Sequence, residues 1–191
     1  MISRYRSFAL FFLLLLTAVG IRLWLLMEPV NSDPMGYFSN ALGGLLQADF
    51  RPQPHHQAFR LPLLAVIRFF GLMGGYSLQS YYLATFFNAM FCFVALALFV
   101  TRFSGLSAAF MVAALWTTSY VALESDAMLL TENLGVALLL LGLTLVRQAG
   151  VTTRTAPAWG LLPLLGGFFL WAACSVRESL ILFIPLAVLL A

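Results

Sequence analysis

The chain has 191 residues, of which 62% are hydrophobic and 9% charged, with a mean hydropathy of +0.98. Such a balance excludes an ordinary soluble domain and points to an integral membrane protein. The net charge of +3 comes from ten arginines against seven acids, with no lysine, and gives no reason to expect a nucleic-acid partner. The apolar runs are long and rich in Leu, Ala and Phe, without the short alternating segments of a β-barrel.

In chain order, the first expected span is Phe8–Met27, preceded by Arg4 and Arg6. A signal peptide has a similar start, but the apolar run continues past Gly20 and no A-x-A-like site ends it. Arg4 and Arg6 therefore place the N-terminus in the cytoplasm. Residues 28–80 read as a long first external loop holding two amphipathic helices. In the first, Ser32 or Asp33 caps, Pro34 sits in the first turn, and the helix continues toward Gln47. Met35, Phe38, Leu42 and Leu45 make its apolar stripe, with Asp33, Tyr37 and Asn40 on another face. The second starts at Pro62 and carries Leu63, Val66, Ile67 and Phe70 toward Gly71. Both are too short to span and are expected to lie at the membrane interface. Between them Asp49–Arg60, with His55 and His56, reads as a polar loop.

The later spans are expected at Tyr82–Val100, Leu106–Leu123, Leu134–Val146, Trp159–Cys174 and Leu180–Ala191. This makes an all-α integral membrane fold of about six transmembrane helices, in a single transmembrane domain covering 1–191. The run Ser179–Ala191 is shorter than the ~20 residues a spanning helix needs. The chain is therefore expected to be the N-terminal module of something longer, or to end in an unusually short helix. Cys92 and Cys174 lie in apolar spans and read as packing residues.

On this topology all seven acids (Glu28, Asp33, Asp49, Glu124, Asp126, Glu132 and Glu178) fall on the external side. Arg102, Arg147 and Arg154 join Arg4 and Arg6 on the other. Carboxylates are costly in so apolar a chain, and their common side suggests a site there. Asp33 doubles as a helix cap. Glu132 follows Thr131 at the start of a span, where a cap and the helix dipole account for both residues. Asp126 stands in an apolar stretch that offers a carboxylate little purpose. Arg60 and Arg177 are the natural counter-charges, with guanidinium forks suited to phosphate.

Several short motifs recur in order: Ser32-Asp33-Pro34-Met35-Gly36-Tyr37, Phe59-Arg60-Leu61-Pro62, Thr131-Glu132 and Val176-Arg177-Glu178-Ser179. This pattern resembles the N-terminal half of the GT-C membrane glycosyltransferases, the superfamily of protein O-mannosyltransferases and of the enzyme that adds aminoarabinose to lipid A. The resemblance implies transfer of a sugar from a polyprenyl-phosphate carrier to a lipid, glycan or protein acceptor on the outer face, in a bacterial inner membrane. It implies Asp33 and Asp126 as catalytic acids, and Tyr37, Arg60, Glu132 and Arg177 as substrate-binding residues. Pro34 stands where the family has Glu, so no role that needs two adjacent carboxylates is implied. An arginine or a divalent metal ion would stabilise the departing phosphate. The competing readings are a non-enzymatic helical bundle, transporter-like or lipid-binding, whose outward acids bind a cation or substrate, and an inactive fragment of the enzyme.

Overall fold

The computed structural model describes residues 2–26, 32–46, 60–75, 77–129, 131–152, 161–185 and 189; the side chains at 2–8, 32–34, 44–46 and 151–152 lie outside the description. Every regular element among these residues is helical. In order they are α1 (Ile2–Leu25), α2 (Ser32–Leu46), α3 (Leu61–Gly74), α4 (Leu78–Ser104), α5 (Leu106–Thr118), α6 (Tyr120–Asp126), α7 (Thr131–Thr152) and α8 (Leu161–Val176). A 3-10 helix at Glu178–Phe183 follows.

Local chemistry sets several of these ends. Pro62 lies in the first turn of α3, and Gly75 closes it at φ 69°, its N–H bonded to the Gly71 carbonyl. Ser77 caps α4, its hydroxyl accepting from the Ser80 N–H at 3.3 Å. Gly105, at φ 87°, ends α4 and starts α5, so a single residue reverses the chain.

The expected span over Leu106–Leu123 is broken. Helices α5 and α6 meet at Ser119 with a bend of 70°. Three consecutive hydroxyl residues account for it. Thr117 and Thr118 donate back to the carbonyls of Ala113 and Ala114, at 2.8 and 3.0 Å, and the Ser119 hydroxyl caps α6 by accepting from the Ala122 N–H. Such side-chain bonds compete with the helix ladder and bend it.

Of the six spans expected, two helices among the described residues are long and apolar enough to cross a membrane, Leu78–Ser104 and Thr131–Gly150. The broken α5–α6 pair makes a third if counted as one span. The described apolar parts of α1 (Ala9–Leu25) and α8 (Leu161–Val176) are shorter. The run expected at Leu180–Ala191 opens as the 3-10 helix, and residues 186–188, 190 and 191 lie outside the description.

The two loop helices form where the sequence predicts them. Of the α2 stripe, Phe38 and Leu42 are buried while Met35 is exposed and Leu45 lies outside the described side chains. Tyr37, expected on the polar face, is 3% exposed and shares the core with Phe38. In α3 the inward residues are Leu63, Ile67 and Gly71, the last so close to Leu42 that a Cβ there would collide with it.

Helices α7 and α8 run antiparallel, Gly135 facing Val176 and Arg177, and Gly142 facing Gly166. A Cβ on Gly142 would sit 2.8 Å from Leu170 Cγ and 3.1 Å from the Gly166 carbonyl oxygen, so the backbones approach directly. Gly142→Val should therefore push α8 off α7. A loss of about 1–3 kcal/mol is expected from overpacking, read as a lower melting temperature in detergent by circular dichroism.

Candidate functional site

One end of the bundle collects the charged residues. The C-terminal ends of α1, α5 and α8 meet the starts of α4 and α7 there, as the contacts of Arg22 with α5, of Leu129 with Tyr81 and of Gly135 with Arg177 establish. Helix α3 touches this same end twice. Arg60, before its first turn, bonds to Val176, and Gly74 in its last turn abuts Ser80 at the start of α4. It thus lies across the end of the bundle rather than through it, with α2 packed against it.

The deepest charges are a pair. Arg22 and Asp126 are 2% and 1% exposed, and Asp126 Oδ2 accepts from Arg22 Nε at 3.0 Å and Nη2 at 2.8 Å. Arg22 also donates to the carbonyls of Trp116 at 3.0 Å and Thr117 at 3.2 Å, and its guanidinium lies 3.7 Å from the centre of the Trp116 ring. The two carbonyls matter. In a continuous helix they would accept from the N–H groups of Tyr120 and Val121, which the bend at Ser119 carries away. Arginine's fork, with five donors, can serve a carboxylate and two carbonyls at once.

The other oxygen of Asp126 is held by Asn133, whose Nδ2 donates to Oδ1 at 2.9 Å and to the Ser125 carbonyl at 3.1 Å. The Ser125 hydroxyl returns a bond to Asn133 Oδ1 at 3.1 Å. Asp126 thus has a structural purpose that its apolar context conceals. The sequence reading assigned Arg22 no role. Its signal is a lone arginine inside the first apolar run, which calls for an equally isolated acid as partner.

Nearer the surface lies a crossed set of pairs. Arg177 and Glu178 are chain neighbours but do not pair with each other. Arg177 bonds Glu132, each side chain 43% exposed. Glu178, 76% exposed, meets Arg60 Nη2 at 3.4 Å, while the Arg60 side chain is only 9% exposed and its Nη1 donates to the Val176 carbonyl. Arg60 Nε is buried without a hydrogen-bond partner among the described residues. Glu132 lies in the first turn of α7 and also accepts from the Thr131 hydroxyl at 3.2 Å, which suits a carboxylate at a helix N-terminus.

Of the sequence-derived site residues, Asp126, Glu132, Arg60 and Arg177 are thus brought to one end. Asp33 belongs to the first turn of α2, but its side chain lies outside the described residues, as do Glu28, Asp49, His55 and His56. Tyr37 is buried in the core. Among the described residues no three of His, Cys, Asp and Glu gather in a way that could hold a metal ion. Sequence reasoning also passed over Asn88. It is 1% exposed, one turn before Cys92 on α4, with neither amide atom partnered among the described residues. At the opposite end Arg147 lies 4.7 Å from the Phe103 ring, away from Asp126, Glu132 and Glu178 at the charged end.

No family model, curated protein or solved structure matches the chain.

Removing one partner of the deep pair should be costly. Arg22→Leu leaves Asp126 buried without its cation and is expected to lower stability by about 3–5 kcal/mol. Removing both, in Arg22→Leu with Asp126→Leu, should recover part of that loss but not all. The carbonyls of Trp116 and Thr117 stay unbonded in the double variant, at about 1–3 kcal/mol each. A double-mutant cycle on chemical unfolding in detergent measures both terms.

Proposed function

We propose that the chain is a membrane glycosyltransferase module that moves a sugar from a polyprenyl-phosphate donor to a lipid, glycan or protein acceptor at its charged end. What supports the reading is the gathering of Arg60, Glu132, Arg177 and Glu178 at that end, crossed by the amphipathic helix α3. In this reading the charged end faces outward from a bacterial inner membrane and the N-terminus is cytoplasmic. That orientation rests on Arg4 and Arg6 before the first apolar run.

Arg177 is the group assigned to the donor phosphate. A half-exposed ion pair such as Arg177–Glu132 is worth only ~0–1 kcal/mol, so a phosphate can replace the carboxylate at little cost. Arg60, held by the Val176 carbonyl, supplies a fixed positive charge close by. In the transfer, the bond from the sugar's anomeric carbon to the donor phosphate oxygen breaks and a bond to the acceptor oxygen forms. The phosphate leaves as an anion stabilised by the arginines, and the acceptor hydroxyl's proton passes to a carboxylate. Asp33 is assigned that proton. Asp126, with both oxygens taken by Arg22 and Asn133, is a positioning residue that fixes the start of α7 and so Glu132. Tyr37 anchors α2 in the core.

Purified protein supplied with polyprenyl-phosphate-linked hexoses or pentoses and a membrane-lipid or glycan acceptor should release polyprenyl phosphate. Asp33→Asn should slow that release about 100-fold with helical content unchanged. Arg177→Ala should raise the KM for the donor about tenfold. Failure of the unaltered protein to release polyprenyl phosphate from any such donor would end this reading.

A further inference from the structure

The bend at Ser119 has a second consequence, at a groove that ends on the same Arg177–Glu132 pair assigned above to the donor phosphate. It swings α6 away from the line of α5 and opens a groove of about 320 Å³ on the flank of the bundle, between α4, α6 and α7. The walls are largely apolar, with Leu96, Val121, Val136 and Leu140 along them and Trp116 of α5 at the break. Val121 is 73% exposed, so this side is open. The groove's volume is at the lower end of the ~300–1,000 Å³ typical of ligand sites. It has room for a chain, not for a whole lipid.

The lining turns polar at one end, where Ser119 and Glu132 contribute to it. Glu132 is the partner of Arg177, so a half-exposed carboxylate and a half-exposed guanidinium stand side by side where the groove reaches the charged end. That pair selects among headgroups. A net-anionic headgroup gains the guanidinium but meets the carboxylate. A zwitterion matches both, provided its cation carries N–H groups for Glu132, which a quaternary ammonium lacks.

We propose that this groove is a binding site for a phospholipid with a primary-ammonium headgroup. One acyl chain lies along Leu96, Val121, Val136 and Leu140, the ammonium donates to Glu132, and the phosphate accepts from Arg177. The bent α5–α6 pair is then a lipid-binding device as well as a fold element, and the buried Arg22–Asp126 pair keeps it bent.

Trp116 reports on the groove. Full-length protein with Trp24→Phe, Trp159→Phe and Trp171→Phe, reconstituted in phosphatidylcholine vesicles, leaves it as the sole tryptophan. Dibrominated phosphatidylethanolamine, phosphatidylcholine or phosphatidylglycerol is then titrated in and the fluorescence quenching followed. Quenching by the brominated phosphatidylethanolamine should saturate, with an apparent affinity about fivefold above that of the other two. Val136→Phe and, separately, Leu140→Phe should fill the groove and remove the saturable component while helical content by circular dichroism is kept. Glu132→Gln should remove the preference among headgroups and leave chain binding. Equal quenching by all three lipids means bulk-lipid contact only and overturns the proposal. So does strongest binding of phosphatidylglycerol, or a preference for phosphatidylethanolamine that survives both phenylalanine variants.

Discussion

The fold turns on one buried ion pair. Arg22 and Asp126 lie within otherwise apolar surroundings, where two isolated charges would be prohibitive. Each is made tolerable by the other and by neighbours that use its remaining hydrogen-bonding capacity. Arg22 has the carbonyls of Trp116 and Thr117 and the face of the Trp116 ring; Asp126 has Asn133. The arrangement couples three parts of the chain: α1, the break between α5 and α6, and the start of α7. Without the arginine the break would leave the buried carbonyls of Trp116 and Thr117 unbonded, at a cost of about 1–3 kcal/mol each. Without the break the arginine would have no carbonyls to bind. Each feature is the condition for the other.

From that anchor the rest of the charged end follows. Asn133 is one residue from Glu132, so fixing Asp126 also fixes the carboxylate that meets Arg177. The close approach of α7 and α8 at Gly142 and Gly166 sets the level of Val176, Arg177 and Glu178 against the start of α7. Arg60 reaches Val176 from α3, and this ties the amphipathic helices to the same end. There is a gradient in the charges. The deepest pair is fully covered and serves the fold, whereas the outermost, Arg177 with Glu132, is half exposed and can exchange partners. On the proposed reading, the half-exposed pair is the one that receives the donor phosphate, and the buried pair holds it in place.

Much of this was legible in the residues. The all-helical character, the positions of α2 and α3 and a long helix over Tyr82–Val100 follow from hydrophobic period, Pro and Gly placement and the rarity of charge, although α4 extends past both expected ends, from Leu78 to Ser104. These are local or one-dimensional properties, and a linear reading captures them. Length was read less well. Thr117-Thr118-Ser119 carries a bending signal, yet an apolar run on either side hides it unless the hydroxyls are followed to their carbonyls. The expected span at Leu134–Val146 was too short because Gln148 and Arg147 look like an end, although the helix runs on to Thr152.

What the sequence determined by itself is therefore the class of the protein and the inventory of its costly groups: a helical, membrane-compatible chain with few acids. Only the tertiary structure decided which charge meets which. Arg177 and Glu178 are adjacent in the chain but pair across the bundle with Glu132 and Arg60. Asp126 finds its partner in Arg22, 104 residues away. Pairing depends on the three-dimensional placement of helix ends, set by a bend at Ser119 and by glycines that let α7 and α8 touch. No period or motif along the chain encodes those distances.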